Sequence, residues 1–400
     1  MAALLSVEEA QRLILERAHA LEPEDVELAR AAGRVTADAC RAQVDLPPFP
    51  SSAMDGFAVR TADLPGTLPV TGRVAAGRPA STALAPASAM GIATGGVVPE
   101  GADAVVPIEY VVENDNTVEI DEAPEAGSNV RPRGGDVRRG EVVVEAGVRL
   151  GPAQIGALAA AGVAVVRCGR QPRVAVLSTG TELARPGQPL EAGQVYEANS
   201  TLLAAAVRAS GGVAEPLAAV SDEEDEHRRA VERGLAGDVL VTSGGVSVGP
   251  HDLVRRVEAG LGVEEVFWRV SVKPGKPVAF GVRGQTLVFG LPGNPVSALV
   301  GFELFVKPAL LKLQGLRDPL PRLEPGRLTR ALERNPSRDE FVRARSRLDR
   351  DGVELEPVSG QDSHMIARAA AADVLVHVPP GEGELPAGET VRFLRLTASL

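Results

Sequence analysis

RVAVLSTGTEL, residues 173–183, decides the fold class. A short apolar run enters a turn rich in glycine and small hydroxyls, which reads as a buried strand ending in a loop. Two later stretches repeat that design. DVLVTSGGVSVGPHD spans 238–252, and TLVFGLPGNPVS spans 286–297. Between and beyond them lie helical patterns: TLLAAAVRAS, with Asn199 or Ser200 as cap, then DEEDEHRRAVERGL, a stretch from His251 to Glu258, and a long helix from Pro295. Further strands are expected at 218–220, 263–272 and 278–280. Strands alternating with helices predict a doubly wound α/β domain over 171–318 with parallel βαβ units.

Outward from that block the texture changes. Residues 1–40 read as helical, with Ser6 and Glu9 forming a capping box on an amphipathic helix. VDLPPFPSSAMDGFAV, 44–59, is too rich in proline for a helix. Short strands are expected at 68–74, 90–94, 104–108 and 117–120, which makes 41–136 a β-rich insertion. Residues 1–40 and 137–170, including a helix near 152–161, form the interrupted unit. Residues 319–400 return to strands at 341–348, 353–357, 374–378 and 390–394. The fold class is therefore α/β and multidomain, with added β-rich domains.

Composition narrows the function. The 400 residues carry a net charge of -11, which disfavours nucleic acid and acidic membrane surfaces as partners. Aromatics make up 3%, too few for base-stacking platforms. The longest apolar stretch, 155–166, is too short to span a membrane. The first residues lack a secretory pattern, and two cysteines, Cys40 and Cys168, point to a reducing cytoplasmic setting. The five histidines show no metal-ligand spacing.

Ligands of open α/β sheets bind outside the carboxyl ends of strands. Three glycine-bearing loops at one such edge, 178–183, 244–252 and 291–297, form a candidate anion site. The P-loop and dinucleotide fingerprints are both absent. Of 42 basic residues only Lys273, Lys276, Lys307 and Lys312 are lysine, and the first two sit three apart in SVKPGKP. A compact ammonium approaches a small oxyanion more closely than a planar guanidinium does. Loop carboxylates form a second set: Asp55, Asp136, Glu182, Asp222 and Asp252. Beside an anion-binding loop they suggest a hard cation such as Mg²⁺. Asp222 also suits a helix N-cap, and Asp136 a turn.

SAMDGFAV, STGTEL, TSGGVSVGPHD, SVKPGKP and GLPGNPVSAL, in this order, resemble the MoeA-type molybdopterin molybdenumtransferases, the family that includes the gephyrin E domain. The resemblance covers essentially the whole chain. It implies an elongated homodimeric subunit of four parts with a MogA-like α/β domain, and a site shared between subunits. It implies that adenylylated molybdopterin and molybdate give molybdenum cofactor, AMP and water. A MogA-type partner and molybdoenzyme acceptors are implied as well. Carried over residue by residue, Asp55, Asp136, Glu182, Asp222, Asp252, Lys273 and Lys276 are the expected catalytic positions, with Mg²⁺ on Glu182 and Asp252. Thr94, Arg131, Ser243, Gly244, Gly245, Ser247, Pro292, Asn294, Pro295, Arg343 and Ser363 are the expected ligand-binding positions. The chain departs from the family pattern at Thr181, Pro250, His251 and Arg269, and in RPRGGD. The alternatives are a molybdopterin adenylyltransferase and a non-catalytic scaffold of the same fold.

Overall fold

Ser6 Oγ accepts from Glu9 N at 3.1 Å and starts helix α1, Val7–Arg17, as its sequence predicts. Glu9 does not complete a reciprocal box, because its carboxylate binds Arg12. The expected helix also stops early. A strand at Pro23–Glu27 and a 3-10 turn at Leu28–Arg30 follow, and Leu28 N donates to Ala164 O. Apolar spacing in 20–40 misled because these backbone groups bond to distant segments rather than to a helix. The computed structural model describes residues 4–219, 223–245 and 253–396. The chain divides into two units by internal contact: Asp25–Ala32 with Asp38–Arg167, and Met1–Glu24 with Gly33–Ala37 and Cys168–Leu400.

The first unit is built on six short strands. These are β2 (Gly56–Val59), β3 (Gly66–Val74), β4 (Ala89–Ile92), β5 (Ala104–Pro107), β6 (Val112–Asn114) and β7 (Thr117–Ile120), in the order β5-β2-β4-β3-β7-β6. Successive residues of β2 point to opposite faces, so Phe57 and Val59 enter one core and Ala58 the other. A two-residue strand β1, Ser51–Ser52, pairs with β8, Val130–Arg131. Helix α2, Pro152–Ala160, places its proline at the first turn, where no N–H is needed.

The second unit holds the α/β sheet. Its strands are β9 (Arg173–Ser178), β10 (Val213–Pro216), β11 (Val239–Ser243), β12 (Glu264–Trp268), β14 (Ala279–Arg283) and β15 (Thr286–Leu291), with β13 at Val272–Lys273 in a different sheet. The order is β10-β9-β11-β15-β14-β12. β9 pairs in parallel with β10 and β11, and β11 with β15. β14 and β12 add antiparallel neighbours, so the sheet is mixed rather than wholly parallel. β10 lies at 213–216, not at 218–220.

The apolar runs follow from coverage on both faces. Val174, Val176, Val239 and Val241 enter the larger core with α1, α3 (Asn199–Ala209) and the helix from Pro295. Ala175, Leu177, Leu240 and Val288 face α4 (Glu224–Gly234) and α5 (Leu253–Gly260).

The long helix after β15 is not uniform. Helix α6, Pro295–Gly301, widens to a π turn at Phe302–Val306 before α7, Lys307–Leu313. Pro308 has no N–H to offer the carbonyl of Leu304 four residues earlier. Gln11 Nε2 from α1 donates to that carbonyl at 3.0 Å.

The C-terminal sheet is formed by β16 (Glu324–Leu328), β17 (Asp339–Asp349), β18 (Gly352–Pro357), β19 (Val374–Val378) and β20 (Thr390–Arg395), joined by β13. The expected strand at 263–272 is therefore split. Arg269 has φ +75, which interrupts extended backbone, and β13 leaves the α/β sheet to pair with β17.

Candidate functional site

Ser178, Ser243 and Leu291 are register partners at the carboxyl ends of three adjacent parallel strands. The chain runs from β9 outward to β10 and then back past β9 to β11, so connections leave β9 and β11 in opposite directions. Such a switch point opens a crevice between the two strand ends. A cleft of about 800 Å³ lies there. Among the described residues it is lined by the loops after β9, β11 and β15, the start of α3, Pro277, His227 and His364.

Each loop is fixed by bonds that sequence alone did not disclose. Ser178 Oγ donates to Glu197 Oε1 at 2.8 Å, and Ser200 N donates to the same oxygen at 2.8 Å. Glu197, not Asn199 or Ser200, thus caps α3. Asn199 is the first residue of that helix, and its Nδ2 donates to Ser243 Oγ at 2.8 Å and Gly293 O at 2.7 Å. The glycines after β11 are dictated by space and by backbone angle. Gly244 has φ +97, and a Cβ there would sit 2.8 Å from Thr179 O. Gly245 has φ +68, and a Cβ there would sit 2.1 Å from Val254 Cγ2.

The helix start after β15 differs from expectation. Pro295 has no N–H, and Val296 N donates to Ser363 O at 3.1 Å. Asn294 Nδ2 donates to Ser363 Oγ at 2.8 Å. These two donors hold the 358–365 loop.

Glu182 lines the cleft with an exposed carboxylate. Lys276 is exposed in the turn that precedes Pro277, and its carbonyl accepts from Val270 N and Val278 N. That turn packs on α6, because a Cβ on Gly275 would lie 3.5 Å from Ser297 O. Lys273 Nζ lies 3.0 Å from Glu340 Oε1, a partner on β17 that sequence reasoning missed. Arg343 corrects another expectation. It is 1% exposed, and its guanidinium donates to Gln361 Oε1 and to the carbonyls of Gly360, Asp362 and Met365. Burial pulls its pKa down from the usual guanidinium value. It shapes the loop that carries Ser363.

Asp55, Thr94, Arg131 and Asp136 belong to the other unit. Asp55 is exposed, and its Oδ1 accepts from Thr94 N at 2.8 Å. Gly56 follows because a Cβ there would lie 2.0 Å from Val106 O on the neighbouring strand. Ser52 bonds the Thr94 loop through Gly95 and Gly96, and Ser51 is the register partner of Arg131. β1 thus draws Asp55, Thr94 and Arg131 to one edge. Asp136 is held separately, its N–H donating to Leu46 O at 2.9 Å. Asp222, Ser247 and Asp252 lie outside the described residues. His227 and His364, set aside in the sequence for want of metal spacing, both line the cleft. No group of three metal-ligating side chains occurs among the described residues.

A mixed α/β sheet with a switch-point cleft, flanked by a lysine turn and followed by a β domain, defines a small-ligand-binding α/β protein. The MoeA N-terminal region (domain I and II) matches residues 5–162, a probable molybdopterin binding domain matches 175–312, and the MoeA C-terminal region (domain IV) matches 325–396. A molybdopterin molybdenumtransferase of Haemophilus influenzae is 37% identical over 395 residues, covering 97% of this chain and 98% of its own. Molybdopterin molybdenumtransferase 2 of Mycobacterium tuberculosis is 37% identical over 407 residues, covering 98% and 100%. The crystal structure of a molybdopterin biosynthesis MoeA protein from Pyrococcus horikoshii aligns with a TM-score of 0.85 at 27% identity, covering 98% of this chain and all of that one. The chain belongs to the MoeA family of molybdopterin molybdenumtransferases.

Proposed function

We propose that this protein inserts molybdenum into molybdopterin, the transferase activity for which its relatives are named. The observation that carries the reading is the switch-point cleft with Lys276 beside it. We infer further that the substrate is adenylylated molybdopterin, and that molybdate enters as AMP and water leave. Molybdate carries two negative charges. Lys276 offers an exposed ammonium, and Lys273 a second one beside Glu340. Gly244 and Gly245 let the backbone approach the pterin phosphate.

Mg²⁺ fits the donor set in one respect. It binds through one or two carboxylates together with substrate phosphates and keeps its waters, so a three-ligand cage is not required. Both oxygens of Glu197 are taken by Ser178 and Ser200, which leaves Glu182 as the open carboxylate among the described residues of the cleft. Asp252 is its proposed companion. The ion would screen the charge of the phosphoanhydride.

The same proposal includes a homodimer in which Asp55 of one copy serves the cleft of the other. It includes a four-part subunit divided at 1–40 with 137–170, 41–136, 171–318 and 319–400. It also includes a MogA-type supplier of substrate, molybdoenzyme acceptors and a cytoplasmic location. Neither Cys40 nor Cys168 is in a disulfide, in keeping with that location. No helix of the described residues is long and apolar enough to cross a membrane.

Purified protein given adenylylated molybdopterin is expected to release AMP only when molybdate is added. Absence of release by the folded protein would favour the scaffold. Formation of adenylylated product from molybdopterin and ATP would favour the adenylyltransferase.

A further inference from the structure

Asn199 is 8% exposed and ties two loops of the cleft together. Its Nδ2 donates to Gly293 O at 2.7 Å and to Ser243 Oγ at 2.8 Å. Ser243 Oγ in turn donates to Pro292 O at 3.3 Å. Two consecutive carbonyls are thereby drawn toward β11 and α3. A trans peptide directs its C=O and the next N–H to opposite sides. Neither peptide is among the cis bonds. The N–H groups of Gly293 and Asn294 therefore turn away from Ser243 and Asn199. Both residues are exposed and line the cleft, and neither N–H donates to another described residue.

A second observation concerns the Asn199 amide itself. Its Oδ1 is buried and has no hydrogen-bond partner among the described residues. A buried acceptor left unsatisfied is unfavourable, and such groups concentrate where orientation serves a function. Among the described residues the side chain is held by its two donor bonds, whose direct consequence is the orientation of the 292–294 turn.

We propose that Asn199 is a positioning residue for the transferase reaction: by fixing Gly293 O and Ser243 it presents the N–H groups of Gly293 and Asn294 to a phosphate oxygen of the adenylylated substrate. The inference rests on the cleft being the substrate site. It concerns donors that precede α6, at whose first two positions Pro295 lacks an N–H and Val296 N donates to Ser363 O.

The test uses full-length protein. Asn199→Asp keeps the side-chain shape but replaces the donor with a carboxylate that repels Gly293 O. The KM for adenylylated molybdopterin is expected to rise about tenfold or more, while the KM for molybdate stays near wild type. Ser243→Ala should move the same KM in the same direction, and it serves where the Asp variant folds poorly. In ¹⁵N-labelled wild type the amide signals of Gly293 and Asn294 should shift on titration with AMP, and in Asn199→Asp they should not. A wild-type KM in both variants would overturn the proposal. So would Gly293 and Asn294 signals that stay fixed while AMP binds. If wild type released no AMP from the substrate, the functional reading would fall. The AMP titration would then judge the positioning role by itself.

Discussion

Lys276 is the residue proposed to meet molybdate. Lys276 is exposed and precedes Pro277 of the cleft lining, whereas Lys273 already has Glu340 at 3.0 Å. Lys276→Ala should abolish molybdate-dependent AMP release with no loss of thermal stability, because an exposed side chain contributes little to packing. Lys276→Arg should lose most of the activity, since a broad planar fork does not replace a point charge. Full turnover by the arginine variant, measured as AMP release, would remove the oxyanion argument. The rarity of lysine made this position visible in the sequence. Glu340 and Arg343 were not legible in the same way. Whether a charged side chain meets a ligand or the underside of a loop depends on burial, and Arg343 is buried against four acceptors from the 360–365 segment.

At the scale of elements, the helix interrupted by Pro308 yields two expectations. Gln11→Ala leaves Leu304 O without its side-chain donor and should destabilise the protein by about 1 kcal/mol, read from urea denaturation. Glu303, on the π turn, is 6% exposed and paired with Lys307 at 2.7 Å. Burial pushes its pKa above the usual carboxylate value, against the opposing pull of Lys307. The folded state thus holds this proton to higher pH than the unfolded state does. Stability from this group is fully present below the unfolded pKa and declines as pH rises through the raised one. Glu303→Gln should remove that decline, so wild type minus variant stability should fall between mildly acidic and neutral pH. A difference that rises with pH in thermal melts would refute it. The strands at 173–178, 239–243 and 286–291 were legible because burial on both faces demands unbroken apolar runs. The strand at 213–216 was misplaced because an edge strand takes its identity from its neighbour, here Val174–Val176, and not from its own pattern.

At the scale of the molecule, the shared site is the statement to test. Asp55→Ala and Lys276→Ala should each be inactive. If Asp55 of one copy serves the cleft of another, mixing and re-equilibrating equal amounts of the two gives heterodimers with one intact site. Statistical exchange places about half of the dimers in that class, so AMP release should recover to about a quarter of wild type. No recovery after verified subunit exchange would mean that each copy supplies its own Asp55.

The sequence by itself determined the α/β block, the short strands between 68 and 120, the three strand-end loops, the lysine pair and the family. All of these rest on local spacing, composition or contiguous motifs. Only the tertiary structure decided that Glu197 caps α3, that the start of α6 is spent on Ser363, and that Asn199 orients the 292–294 turn. It alone split the strand after Trp268 between two sheets. The physical reason is the range of the interactions. Burial periodicity is written into neighbouring residues, but a hydrogen-bond partner 94 positions away, as Gly293 is from Asn199, exists only after the chain has folded.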